Sequence, residues 1–97
     1  MKHLIITGFD PFGGETVNPA WEAVKALPDT LSGFRLTRLE IPTVFEKAAR
    51  TVLAATEADP ADVILCVGQA GGRPAVTPER IAINLNDARI ADNESNQ

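Results

Sequence analysis

Apolar positions fall in short runs separated by stretches of helical spacing, and glycine or proline marks nearly every boundary. His3 to Thr7 is apolar and β-branched and stops at Gly8. A run without alternation suits a strand covered on both faces, as in a parallel sheet between helix layers. Asn18-Pro19 has the chemistry of a helix start, with Asn as N-cap and Pro in the first turn. Ala20, Trp21, Val24 and Leu27 then share one face, and Pro28 ends the helix. Residues 29–33 read as a turn around Gly33, and Phe34 to Ile41 as a second strand. Its alternation breaks between Thr37 and Leu39, which suggests a bulge or an edge position.

Thr43 and Glu46 have the spacing of a capping box at the start of a second helix. Val44, Phe45, Ala48, Ala49, Val52 and Leu53 form its apolar face, and Asp59-Pro60 closes it. Val63 to Val67 is apolar throughout, as expected of a central strand. Ile81, Ile83 and Leu85 alternate with Ala82, Asn84 and Asn86 as a fourth strand. Strand–helix–strand–helix–strand order implies an α/β domain with right-handed crossovers. Ligands of such sheets gather at the carboxyl ends of the strands. The glycine loops at 8–14 and 68–72 both follow strand ends, so both should open on that edge. The stretch from Gly68 to Asn84, with three glycines and two prolines, is expected to wall a site.

Composition narrows the function classes. With 97 residues, 44% hydrophobic and 23% charged, the chain has the make-up of a single ordinary globular unit. A net charge of −4 and nine scattered basic residues argue against a nucleic-acid partner. No apolar run approaches the ~20 residues that span a bilayer, so no membrane partner is expected. Met1 to Gly8 is too quickly broken to act as a signal peptide. One cysteine excludes an internal disulfide framework, and a reducing cytoplasm is the expected setting.

Candidate chemistry is sparse. Gly8 and Gly13 have the glycine spacing of a phosphate loop, but Gly14-Glu15 stands where Lys and Ser or Thr are needed. Phe9 and Phe12 could plug the core or line a site. Cys66, within an apolar strand, reads as a buried and inert thiol. His3 reads as a surface or strand-start residue, and no Cys/His cluster has metal-ligand spacing, so neither metal nor cofactor is expected. Glu79 is one of thirteen acids; it could be a solvated carboxylate paired with Arg73 or Arg80, or a site residue following a glycine turn.

Gly8-Phe9-Asp10-Pro11-Phe12-Gly13-Gly14 with Asn18-Pro19, then Gly68-Gln69-Ala70-Gly71-Gly72-Arg73, Thr77-Pro78-Glu79-Arg80-Ile81-Ala82-Ile83-Asn84 and Asp87-Ala88-Arg89-Ile90, resemble the N-terminal half of pyroglutamyl peptidase type I. The resemblance spans essentially the whole chain. It implies a three-layer α/β/α fold with a twisted, mostly parallel sheet, and a cytoplasmic cysteine peptidase that removes N-terminal pyroglutamyl residues from peptides. It further implies a homotetramer and a Cys–His–Glu triad whose Glu is Glu79. Phe9 and Phe12 would sandwich the lactam ring, Thr43 and Ile90 would complete the slot, and Asn18 and Gln69 would help with polar contacts and shape. Arg89 would lie beside the site. Ala91 and Ser95 replace the Pro and Gly common in the family after Ile90, so that loop is expected to be more mobile or differently shaped. By the resemblance, residues 1–97 are the N-terminal part of a single peptidase domain, and the nucleophilic Cys and the His belong to an absent second half. The chain alone should then be inactive. The alternative is a short, non-catalytic binding or assembly module that keeps a pyroglutamyl pocket.

Overall fold

The elements follow in the order β1 (Lys2–Phe9), α1 (Pro19–Lys25), β2 (Thr30–Leu31), β3 (Phe34–Ile41), α2 (Lys47–Ala58) and β4 (Val63–Cys66). They are seen in a computed structural model that describes residues 1–83, 85–86 and 88–96. One four-stranded sheet has the order β2-β3-β1-β4. β1 pairs in parallel with β3 and with β4, and β2 adds a short antiparallel edge to β3. The fold is α/β with a mostly parallel sheet, as the strand–helix alternation implies.

β1 has both faces covered: the consecutive residues Ile5 and Ile6 are 0% and 6% exposed. Ile6 and Leu4 face α1, packing with Val24, Trp21 and Leu27 and with Leu36 and Phe34 of β3. On the opposite face, His3 lies against the end of α2, its Nδ1 2.9 Å from the Pro60 carbonyl. The two helices therefore cover opposite faces of the sheet. Asn18 caps α1 as its sequence implies, its Oδ1 accepting the Ala20 N–H at 2.9 Å.

Several expectations need correcting. The turn at 29–33 contains β2, and Ser32 and Gly33, with φ of 51° and 83°, give the hairpin the twist that matches its strands. Of the two readings of β3, the bulge is absent, since its register with β1 is continuous from Lys2↔Phe34 to Phe9↔Ile41. The edge position holds beyond Arg35, where β2 ends and no described residue pairs with its outer side. The alternation breaks at Arg38, whose backbone stays paired with Ile6 while its guanidinium donates to the Leu27 carbonyl at 2.5 Å and to the Asp29 carboxylate at 2.6 Å, just beyond α1. No capping box forms at α2, where Glu46 is the N-cap and makes no side-chain cap bond. The first helical N–H groups bond back instead, Lys47 to the Phe45 carbonyl at 2.8 Å and Ala48 to the Val44 carbonyl at 3.1 Å. Just before the cap, Asp92 accepts the Phe45 N–H at 2.8 Å. A carboxylate there also suits the helix dipole.

β4 is an edge strand, not a central one. Val63, Ile64 and Leu65 are 45%, 42% and 49% exposed, because among the described residues nothing pairs with its outer side. Cys66 is accordingly exposed, not buried. His3 begins a strand but is buried, and its second ring nitrogen meets Thr37 Oγ1 at 2.7 Å. The described residues of the expected fourth strand form no strand, and Ile81, Ile83 and Leu85 are exposed. Asn84 of that strand and Asp87 of the neighbouring motif lie outside the described residues.

Candidate functional site

β1 and β3 are adjacent and parallel, yet the chain leaves β1 for a helix on one face and leaves β3 for a helix on the other. A doubly wound sheet opens a crevice at such a point, beyond the carboxyl ends of the two strands. A groove of about 410 Å³ lies there. Phe9 and Phe12 reach it from the β1 loop, and Thr43, Val44 and Phe45 from the β3 loop. Glu46, Ala48 and Ala49 line the side toward α2, and Asn86, Ala88 and Ile90–Asp92 close it. Its surface is mainly methyl and aromatic, with carboxylates at Glu46 and Asp92. Such a wall suits a small, flat, uncharged group.

Three chain segments meet around the Asp10 carboxylate. Its Oδ1 accepts from the Thr43 N–H and from the Thr43 hydroxyl, each at 2.8 Å, and from the Asn93 side-chain amide at 3.1 Å. The Asp10 carbonyl accepts from the Asn18 amide at 3.2 Å. Asn93 also donates its backbone N–H to the Thr43 carbonyl at 2.9 Å and its side chain to the Pro11 carbonyl at 2.8 Å.

The turn after Ile90 is held as tightly. Besides the Phe45 N–H, Asp92 accepts the backbone N–H groups of Glu94 and Asn96, at 2.8 and 2.9 Å, and the Asn96 side-chain amide. Desolvation works to raise the Asp92 pKa, but the hydrogen bonds from Asn96, Phe45 and Glu94 outweigh it and bring it down to about 2. Lys47 pairs with Glu94 across the same turn. Residues 92–96 thus form a strap laid over the loops after β1 and β3. The bonds that seat it on those loops, from Phe45 to Asp92 and from Asn93 to Asp10 and Pro11, join residues 47, 83 and 82 apart and have no periodic signature in the chain.

Phe9, Phe12, Thr43 and Ile90 come together around the groove. A Cβ placed on Gly13 would stand 3.9 Å from Ile90 Cδ1, so Ile90 closes against the loop that carries Phe12. Asn18 is 2% exposed and does not line the groove; it is the α1 cap tied to Asp10. Gln69 and Arg89 are exposed and outside the lining. Glu79 is also outside it, in an exposed segment, 3.1 Å from Arg73 Nη1. The solvated ion pair with Arg73, one of the two readings of Glu79, is the arrangement present. Val44, Phe45 and the Asp10–Asn93 latch were missed as site elements: the first two read as one helix face, and the latch has no periodic signature.

Cys66 and His3, the one cysteine and the one histidine of the chain, do not form a dyad. Cys66 stands opposite Thr7, and His3 lies four residues back along β1, about 13 Å at the rise of a strand. Among the described residues no cluster of three His, Cys, Asp or Glu could hold a metal ion, and no helix is long and apolar enough to cross a membrane.

Residues 2–97 match the sequence model of a family described as pyroglutamyl peptidase. Pyrrolidone-carboxylate peptidases of Clostridium botulinum and Staphylococcus saprophyticus are each 57% identical over 94 residues, 97% of this chain and 44% of theirs. The crystal structure of pyroglutamyl peptidase I from Bacillus amyloliquefaciens superposes with a TM-score of 0.94 at 55% identity, over 99% of this chain and 46% of that one. A mutant (A199P) pyrrolidone carboxyl peptidase from P. furiosus superposes with a TM-score of 0.88 at 40% identity, over 96% and 45%. The chain therefore spans somewhat under half the length of the relatives it matches.

Proposed function

The chain belongs to the pyroglutamyl peptidase family, and from that premise we propose that it supplies the lactam-binding half of an enzyme that removes N-terminal pyroglutamyl residues from peptides. The observation that carries the reading is the apolar groove at the switch point, with Phe9 and Phe12 on one side and Thr43 and Ile90 on others. A pyroglutamyl residue has no charged amine for a peptidase to hold. Its flat ring calls for aromatic packing and a few hydrogen bonds, and the aromatic and methyl lining of the groove supports the first of these.

In this reading a cysteine thiolate attacks the carbonyl that joins the pyroglutamyl residue to the peptide. A histidine takes the thiol proton and delivers it to the departing amine, and water then hydrolyses the thioester. Glu79 orients that histidine and stabilises its charged form. The thiol and the imidazole come from residues outside these 97. Support for this is the separation of Cys66 from His3 and the engagement of both His3 ring nitrogens by Pro60 and Thr37. Glu79 would leave Arg73 and turn toward the histidine once the segment after Gly72 is packed against the rest of the enzyme. Gln69 and Arg89 would flank the ring, and Asn18 would act indirectly, through Asp10. Assembly as a cytoplasmic homotetramer belongs to the same reading.

The test is a reporter amide of L-pyroglutamate offered to the full-length gene product beside the corresponding L-prolyl amide. Hydrolysis confined to the pyroglutamyl compound, and lost on thiol alkylation, is expected. Equal turnover of the two amides would remove the lactam from the account.

A further inference from the structure

We propose that Asp10 is the positioning residue of the groove, the group that fixes its two aromatic residues opposite Thr43 and Ile90. The proposal rests on the pyroglutamyl reading of the groove but assigns a role to a side chain outside its lining. Asp10 follows Phe9 directly and stands two residues before Phe12. Its N–H donates to the Ile41 carbonyl at 2.9 Å, so its backbone is bound to the end of β3. Its side-chain Oδ1 gathers the Thr43 N–H, the Thr43 hydroxyl and the Asn93 amide. One oxygen atom thereby joins the three segments that carry the groove walls.

Thr43 is constrained further. Its hydroxyl has one proton, and the Asp10 Oδ1 and carbonyl oxygens that it meets, at 2.8 and 3.2 Å, only accept. The proton is committed to Asp10, so Thr43 can offer an occupant of the groove only a lone pair or its methyl group. Asp10 therefore fixes both the width of the slot and the polarity of one wall. Without it, the Phe9–Phe12 loop and the 92–96 strap lose the oxygen that joins both to the Thr43 side chain and keep the Asn93 bonds to the Pro11 and Thr43 carbonyls. The effect falls on ring binding more than on the chemical step.

The experiment uses the full-length gene product with a pyroglutamyl reporter amide, reading KM, kcat and the thermal midpoint for Asp10→Ala, Asp10→Asn and Asn93→Ala. Asp10→Ala is expected to raise KM on the order of tenfold while kcat moves less than about threefold. Asp10→Asn keeps an acceptor at Oδ1 and is expected to recover most of that loss. Asn93 is exposed, and Asn93→Ala is expected to raise KM severalfold without lowering the thermal midpoint below the assay temperature. KM within about twofold of wild type in Asp10→Ala, or equal impairment by Ala and Asn, overturns the proposal. If Asp10→Ala does not fold, Asn93→Ala decides: an unchanged KM overturns the proposal and a raised one upholds it. Absence of turnover in the wild-type enzyme would instead refute the pyroglutamyl reading itself.

Discussion

Gly8 lies directly beneath Trp21: a Cβ built on Gly8 would sit 2.6 Å from the Trp21 Cα and 2.9 Å from its backbone nitrogen. The atoms it would meet belong to the backbone of α1, so no side-chain rotation relieves the contact. Glycine here lets the helix close onto β1, just before the Phe9–Phe12 loop. Gly8→Ala is expected to cost about 1–3 kcal/mol through displacement of α1. Urea denaturation of the full-length protein checks it, and an unchanged midpoint would mean that α1 is not seated as described.

Asn18 combines two tasks in one buried side chain, capping α1 and donating to Asp10. Asn18→Ala should cost about 1 kcal/mol from the lost cap. Asn18→Asp keeps the acceptor but loses the donor and brings a second carboxylate toward Asp10. It should be no better than Ala, whereas at an ordinary exposed cap Asp and Asn are equivalent. Thermal midpoints of the two variants make the comparison.

The strap should respond to acid in a defined window. The Asp92 carboxyl, near 3.8 when free, is held at about 2 in the fold. A lowered pKa contributes stability that is present above the free value and is lost as pH falls through the folded one. The turn at 92–96 should stay seated at pH 5 and detach between about pH 3.8 and 2. Amide exchange at Phe45, Glu94 and Asn96 reads this directly. Asp92→Asn should lose the pH dependence and show fast exchange at these amides already at pH 5.

The exposed side chains of β4 and of Ile81, Ile83 and Leu85 make the 97-residue chain, taken alone, prone to associate. Light scattering should find species larger than a 10.4 kDa monomer at micromolar concentration. A monodisperse monomer would contradict this and favour the reading as a self-sufficient module.

Much of the fold could be read from the chain because its signals are local. The β-branched run of β1 and the Asn18-Pro19 helix start depend on neighbours within a few residues. β4 was misplaced because an apolar run reports what a strand will bury, not which strands lie beside it. The Thr43–Glu46 spacing misled for a similar reason: Thr43 had a better partner in Asp10, 33 residues earlier. Phe9, Phe12, Thr43 and Ile90 were named through a family resemblance, and nothing in their periodicity marked them. Asp10 stood within the Gly8–Gly14 motif but with no role, and Asp92 and Asn93 were not singled out, because a side chain that bonds across 47 or 83 residues obeys no period.

Within the full-length enzyme, Glu79→Ala should lower kcat by roughly a thousandfold with KM and the thermal midpoint little changed. An unchanged kcat would take Glu79 out of the mechanism and leave it as the partner of Arg73.

The most direct measurement is release of a reporter amine from an L-pyroglutamyl amide by the 97-residue chain and by the full-length gene product, side by side. The account predicts thiol-dependent turnover by the full-length protein and none by the 97 residues alone, whose cysteine and histidine lie too far apart to cooperate. Thiol-dependent turnover by the 97-residue chain would contradict it.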